Sequence, residues 1–349
     1  MRKASSALVG ALSFLLASLL HAPGVDSRSQ QPEEVYLGFL GDGGTGGNGQ
    51  RAVARRLEIA RESGKLDYVF LLGDNLYEKG EAKHIGPKFS NVYGKLLDDG
   101  VVFHAALGNH DLKKCDIREV EELPRDAAAY TGCEVDQQLA PANRFGYTNG
   151  YRYYDVSIPG EPAAPEEAPL VEVFVIDTNT LASSQSFLAA RDDRRQLEWL
   201  DSELARSRAI WKVVSMHHPI HSPTSAGWFS GHSREVQLGD QLEPILTRRG
   251  VDVVFAGHNH FYARMVPQKG IRYFVSGGGG KGMYRYKPDE GYVVEVPERG
   301  KFHHFVQVRV SRLSFEYCVV DDEGNLRDGG LFRKGDAADR PLPGGRCPF

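Results

Sequence analysis

Five short clusters of metal-ligating residue types occur in order along this 349-residue chain. They are Gly41-Asp42-Gly43-Gly44, Gly73-Asp74-Asn75-Leu76-Tyr77, Gly108-Asn109-His110-Asp111, Val214-Ser215-Met216-His217 and Gly257-His258-Asn259-His260. Between them they offer carboxylates, a phenol, an amide oxygen and imidazoles, enough donors to hold two adjacent metal ions. A single Gly-Asp pair is an ordinary turn signal, so the ordered set of five carries the inference. Two ions about 3.5 Å apart lower the pKa of a bound water, neutralise charge on an oxyanion and fix in-line geometry, which is the chemistry of hydrolysis at a charged centre.

Such donors must be brought together from distant parts of the chain, and the segments before them are suited to that. Each cluster follows an apolar run that reads as a buried strand: Val35 to Leu40, Tyr68 to Leu72, Val101 to Leu107, Trp211 to Met216 and Val251 to Ala256. In open α/β sheets, ligands bind at the carboxyl ends of strands, and glycines there allow close approach of backbone. Periodic apolar positions predict helices over Gln50 to Glu62, with Arg51, Arg55 and Arg56 on its solvated side, and over Asp192 to Arg206. The runs His303 to Val310 and Leu313 to Val320 read as an antiparallel pair turning at Ser311-Arg312, and Pro159 to Pro169 reads as a loop. Tyr147, Tyr151, Tyr153 and Tyr154 read as core packing. The run Gly277-Gly278-Gly279-Gly280 lacks the Lys-Ser/Thr sequel of a phosphate loop and reads as a flexible rim. The alternation of strands and helices indicates an α/β sandwich.

From Val35 to Ser276 the five clusters, with connecting text such as Gly73-Asp74-Asn75-Leu76-Tyr77 and Leu107-Gly108-Asn109-His110-Asp111, resemble the purple acid phosphatase branch of the metallophosphoesterases, in its small, single-domain form. The resemblance implies a four-layer α/β sandwich, two mixed β-sheets face to face with helices outside and the metals at one sheet edge. It implies that Asp42, Asp74, Tyr77 and His260 hold Fe(III), and that Asp74 bridges to a divalent ion, Fe, Zn or Mn, held by Asn109, His217 and His258. Hard anionic donors suit ferric iron, and imidazole with an amide oxygen suits the divalent ion. Tyr77 is the discriminating residue, because most metallophosphoesterases have no tyrosine ligand. The implied activity is hydrolysis of phosphate monoesters in acid by a metal-bound hydroxide. His110 matches the family's substrate-contacting histidine. The implied proton donor to the leaving group is His232, which precedes Leu242-Glu243-Pro244 by the family's interval, with His221 as its rival. His218, Asp111 and Asp177 are expected to orient the ligand loops rather than to ligate. Two other readings are open: a dinuclear Mn or Zn phosphodiesterase or nucleotidase of the same superfamily, and a non-catalytic scaffold of the kind some parasite membrane-anchor proteins represent. The scaffold reading expects an eroded ligand set or a C-terminal span, and the sequence has neither.

Composition bounds the remainder. Arg2 and Lys3 followed by the apolar run Ala7 to Leu20 resemble a secretory signal peptide, either cleaved near Ala22-Pro23-Gly24 with loss of residues 1–24 or kept as a signal anchor. Its loss takes the net charge from -4 to about -6. A mildly acidic body argues against nucleic acid as a partner. No second apolar segment reaches membrane-spanning length, so no stable span is expected after cleavage, in a secreted, exocytic, lysosomal or periplasmic setting. One catalytic domain is expected over residues 33–325, followed by a polar tail over 326–349 that a disulfide can tether. The four cysteines, Cys115, Cys133, Cys318 and Cys347, suit two disulfides in an exported chain. Three pairings are possible, and proximity favours Cys115 with Cys133 and Cys318 with Cys347. The bridge of the mammalian small form has no counterpart, since the matching places near Ala182 and Arg234 lack cysteine.

Overall fold

Two six-stranded sheets lie face to face because each presents an unbroken aromatic and β-branched surface to the other. The computed structural model describes residues 34–349 apart from 121, 159–167, 183–192, 225–235, 288 and 290. The first sheet draws on β1 (Glu34–Leu40), β2 (Tyr68–Leu71), β3 (Val102–Ala105), β12 (His304–Ser311), β13 (Phe315–Asp321) and β14 (Leu326–Phe332), in the order β14-β13-β12-β1-β2-β3. The second draws on β6 (Tyr154–Ile158), β7 (Val171–Val175), β8 (Trp211–Met216), β9 (Val253–Ala256), β10 (Tyr262–Arg264) and β11 (Arg272–Ser276), in the order β10-β11-β9-β8-β7-β6. Both are mixed: β1, β2 and β3 run parallel while β12 to β14 are antiparallel, and β7, β8, β9 and β11 run parallel between antiparallel edges. Phe39 of β1 stacks on Phe255 of β9 with ring centroids 3.9 Å apart, and Phe274 meets Tyr317 at 5.0 Å. Trp211 sits edge-on to Phe315 and Phe332, and its indole N–H donates to the Ser311 carbonyl.

Helices cover the outer faces. Gly38, whose neighbour Phe39 points inward, has no side chain because Leu57 of α1 (Asn48–Glu62) and Leu66 press on that spot at 3.2 Å. Helix α2 (Asn91–Asp98) packs beside α1. On the other side, Lys212 of β8 reaches the Leu204 carbonyl at the end of α4 (Arg194–Arg206), and Asp201 of α4 pairs with Arg248 of α5 (Val236–Arg248) and with Arg249 just beyond it. Asp193 caps α4 by accepting from the Gln196 N–H. The expected four layers are present. A short helix α3 (Val135–Leu139) and a small pair, β4 (Asp116–Ile117) with β5 (Tyr130–Thr131), lie in the connection from β3 to β6. The disulfides are Cys115–Cys133 and Cys318–Cys347.

Two sequence expectations differ from the structure. The segment after residue 325, read as a polar tail, begins with β14, an edge strand paired along β13. Its glycines hid it: Gly330 is bare because the Tyr317 hydroxyl lies 2.5 Å from where a Cβ would stand, and at Gly329 that atom is Leu342 Cδ1, also at 2.5 Å. The tetraglycine run is a packed junction instead of a flexible rim. A Cβ at Gly279 would stand 2.5 Å from the Gly41 carbonyl oxygen and one at Gly277 2.2 Å from that of Asn259. Helices α2 and α5 are additions to the elements read from the sequence, and α5 carries Pro244 inside it. The candidate signal segment, the loop expected at 159–169 over its first nine residues, and His232 lie outside the described residues. Among the described residues no helix is long and apolar enough to cross a membrane.

Candidate metal centre

The carboxyl ends of five parallel strands, three from one sheet and two from the other, meet at one edge of the sandwich. Asp42 follows β1, Asp74 follows β2, Asn109 follows β3, His217 is the residue after β8, and His258 follows β9. The turns are tight. Asp42, Asp74 and His258 all adopt left-handed backbone conformations, with φ of 60°, 55° and 69°. Gly73 and Gly108 allow these turns to touch: a Cβ at Gly73 would lie 2.5 Å from His217 Nδ1, and one at Gly108 2.1 Å from the Asp74 amide nitrogen.

Two groups of donor atoms result. In the first, the Tyr77 hydroxyl is 3.1 Å from both Asp42 Oδ1 and His260 Nε2, and His260 Nε2 is 3.4 Å from Asp42 Oδ1. Asp74 belongs to the same cluster, with its donor atom within 4.8 Å of those of Asp42 and His260. In the second, Asn109 Oδ1 is 2.8 Å from His217 Nε2 and 3.1 Å from His258 Nδ1. Asp74 Oδ1 lies 3.4 Å from His217 Nε2, so one carboxylate borders both groups. The ring orientations are fixed from behind. His217 Nδ1 bonds the Leu72 carbonyl at 2.8 Å and His260 Nδ1 bonds the Gly282 carbonyl at 3.0 Å, so in each ring Nδ1 carries the hydrogen and Nε2 presents its lone pair. Asp42 Oδ2 accepts from the His258 amide and Asp74 Oδ1 from the His110 amide.

These donors fit metal ions on electrostatic grounds. Asp42 and Asp74 are buried. Burial pushes the Tyr77 phenol well above its ordinary pKa, and the Asp42 and Asp74 carboxylates push it further. Two buried carboxylates and the lone pairs of imidazole and amide groups turned toward one another leave negative charge that a cation among them would balance. Burial opposes the imidazolium of His260, yet the Asp42 carboxylate, Asp74 and the Gly282 carbonyl together raise the group.

Asp111, His218 and Asp177 take different places around the donors. Asp111 is buried and accepts from the amides of Asn75, Leu76 and Gly108 and from the Asn75 side chain, tying the second ligand loop to the third. His218 lies closer to the donors than expected: its ring packs at 4.6 Å on His258, while its Nδ1 bonds Thr178 at 2.9 Å. Asp177 caps the turn at Thr178–Thr180 and joins Arg152 below the site. Tyr147 and Tyr154 are buried as expected, their hydroxyls bonding the carbonyls of Ala106 and Ala105 at the end of β3. Arg51 bonds the Gly46 carbonyl and Arg56 the Asp322 carbonyl, away from the donors.

A cavity of about 480 Å³ opens on the donors and is lined by Asp74, Asn109, His258 and His260 together with Glu78, His110, Lys281, Gly282, Met283 and Tyr284. His110 therefore reaches the site. His221 is not among the described lining residues; its Nδ1 is 2.7 Å from the Tyr292 hydroxyl and its Nε2 2.7 Å from Glu243 Oε1. The wall residues Glu78 and Lys281 to Tyr284 were missed from sequence. No motif marks them, and the signal that could have found Lys281 was its place directly after the tetraglycine run.

Comparison with known proteins agrees with this geometry. Purple acid phosphatase 4 of Arabidopsis thaliana is 26% identical over 324 residues, covering 89% of this chain and 85% of that protein. Human tartrate-resistant acid phosphatase type 5 is 26% identical over 244 residues, or 66% of each. Among solved structures, the anchor protein GAP50 of the Plasmodium inner membrane complex superposes with a TM-score of 0.64 at 15% identity, covering 86% of this chain and 89% of that one. A purple acid phosphatase from yellow lupin seeds gives 0.58 at 17% identity, covering 87% of this chain and 54% of its own. The calcineurin-like phosphoesterase family model matches residues 28–262, most of the described chain and every candidate ligand, and the protein belongs to that family.

Proposed function

We propose that this protein is an exported acid phosphatase that hydrolyses phosphate monoesters with a dinuclear Fe(III)–M(II) centre. Asp42, Asp74, Tyr77 and His260 would hold the ferric ion, and Asn109, His217 and His258, sharing Asp74, the divalent ion. Bound there, the two cations would supply Lewis acidity, neutralising phosphoryl charge and acidifying water so that a nucleophile persists in acid. The observation that carries this reading is the Tyr77 hydroxyl within hydrogen-bonding distance of both Asp42 and His260, a phenol placed among hard donors where other phosphoesterases need none.

The chain's own groups then have separable tasks. His110 faces the cavity with its Nδ1 on the Glu78 carbonyl at 2.9 Å, and it contacts the substrate phosphoryl group. The leaving group takes its proton from His232, assigned by its interval to Leu242-Glu243-Pro244. Both ring nitrogens of the rival His221 are engaged by Tyr292 and Glu243, which supports that choice. Two disulfides suit the oxidising compartment that a cleaved signal segment would lead to. The test is phosphate release from a monoester and a diester across pH 4 to 8, run on protein whose metal content has been measured. Monoester activity with an acidic optimum and iron present is expected; diester preference, or full activity with Mn or Zn and no iron, would overturn the proposal.

A further inference from the structure

A lysine ammonium stands over the face of Tyr77. Lys281 Nζ lies 4.2 Å from the centroid of the Tyr77 ring and forms an ion pair with Glu78, the next residue along the chain. Its backbone is equally fixed: the Lys281 amide donates to the Asp42 carbonyl at 3.0 Å, and the Gly279 amide two residues earlier donates to the Gly41 carbonyl at 2.8 Å. The packed tetraglycine run thus sets where the lysine side chain starts, and Glu78 sets where it ends. The Lys281 side chain is 28% exposed whereas Tyr77 is 1% exposed, so the charge is partly shielded from water on the side that faces the ring. The Glu78 ion pair holds the ammonium beside the phenol ring.

We propose that Lys281 tunes Tyr77 as a metal ligand: its ammonium stabilises negative charge on the phenolate and so weakens the donation of that charge to the metal. The inference rests on the reading that Tyr77 ligates ferric iron. A cation over the π-face attracts the electron density of the ring, and an aryloxide carries more of that density than a phenol. Visible excitation of a ferric phenolate moves charge from the ring to the iron, away from Lys281. The ammonium therefore stabilises the ground state more than the excited state and shifts the band to shorter wavelength. A weaker donor also leaves the ferric state easier to reduce. Glu78 opposes the lysine, but its side chain is 57% exposed and solvent screens it more strongly.

The test is the visible spectrum of purified wild-type protein, Lys281→Met, Lys281→Arg and Glu78→Gln, each with its iron content measured. Lys281→Met should keep iron and move its band to longer wavelength by on the order of tens of nanometres, with Lys281→Arg close to wild type. Glu78→Gln, which removes the opposing charge while keeping a carbonyl oxygen to receive the ammonium, should move the band slightly to shorter wavelength. A purple wild type with an unmoved band in iron-replete Lys281→Met overturns this inference alone. A colourless wild type full of ferric iron overturns the assignment of Tyr77 as ligand, and this inference with it. If Lys281→Met loses its iron, Glu78→Gln decides: a shift to shorter wavelength supports tuning, and an unmoved band makes Lys281 a structural support only.

Discussion

Two buried clusters of charge lie close together in this fold, and they are balanced in different ways. Below the site, Arg152 is fully buried with its guanidinium 3.1 Å from Asp177 Oδ2 and 2.7 Å from Asp193 Oδ2. The Tyr130 and Thr180 hydroxyls and the Gln196 amide complete the carboxylates' hydrogen bonds. At the site, Asp42 and Asp74 are as deeply buried, yet their ionic neighbours are the histidines His260 and His217, each at 3.4 Å. An isolated buried carboxylate is costly unless paired. One cluster carries its cation in the chain; on the proposed function, the other takes its cations from solution. That difference separates a structural ion cluster from a metal centre better than burial or carboxylate count alone.

The largest expected effect breaks the second cluster. Asp74→Ala should abolish binding of both metals and reduce phosphate release by on the order of 10³-fold or more. Because bound ligand stabilises the folded state, a chelator should lower the Tm of the wild type and leave that of Asp74→Ala unmoved. Equal chelator effects on the two would contradict a metal centre at Asp74. Arg152→Met should do the reverse, costing about 3–5 kcal/mol by stranding Asp177 and Asp193 while leaving metal stoichiometry intact in the folded fraction. Thermal unfolding with metal analysis on the soluble protein checks this, and loss of metal without loss of stability would reverse the roles of the two clusters.

Acid sensitivity gives a third, smaller effect. Burial pushes His104 and His304 down to about 4, so the folded state keeps them neutral. The unfolded chain takes up protons first as pH falls below about 6.5. Their contribution is therefore fully present above that value and is lost as pH falls toward 4, up to about 3 kcal/mol each. His304, 3.1 Å from the Ser276 hydroxyl beneath the tetraglycine junction, is the cleaner site to test. His304→Gln should flatten the fall of Tm between pH 6.5 and 4; an unchanged slope would count against it. The fourth effect is confined to chemistry. His232→Ala should slow esters with poor leaving groups by ~10²-fold and spare activated aryl phosphates, whereas His221→Ala should do less. The selective loss appearing in His221→Ala would transfer the proton-donor role to that residue.

The candidate ligands were legible because each lies within a few residues past the end of a strand: strand propensity and the turn after it are local properties. The wall of the cavity was not. Lys281 meets Tyr77 across 204 positions of sequence, and Arg152 meets Asp177 and Asp193 from a stretch where the neighbouring tyrosines suggested only packing. The tetraglycine run was misread for the same reason. Its glycines answer to backbone from Gly41 and Asn259, not to any need for a loose loop. Strand β14 shows the complementary failure: composition pointed to a tail, while pairing with β13 makes it the sheet's edge.

The most direct test of the account is metal analysis combined with a visible spectrum, on wild type and Tyr77→Phe purified without chelator. The wild type should hold about two metals per chain, at least one of them iron, and be purple when oxidised; Tyr77→Phe should lose the band while Asp42, Asp74 and His260 retain some iron. One metal or none after reconstitution, or a colourless wild type with its full ferric complement, would contradict it.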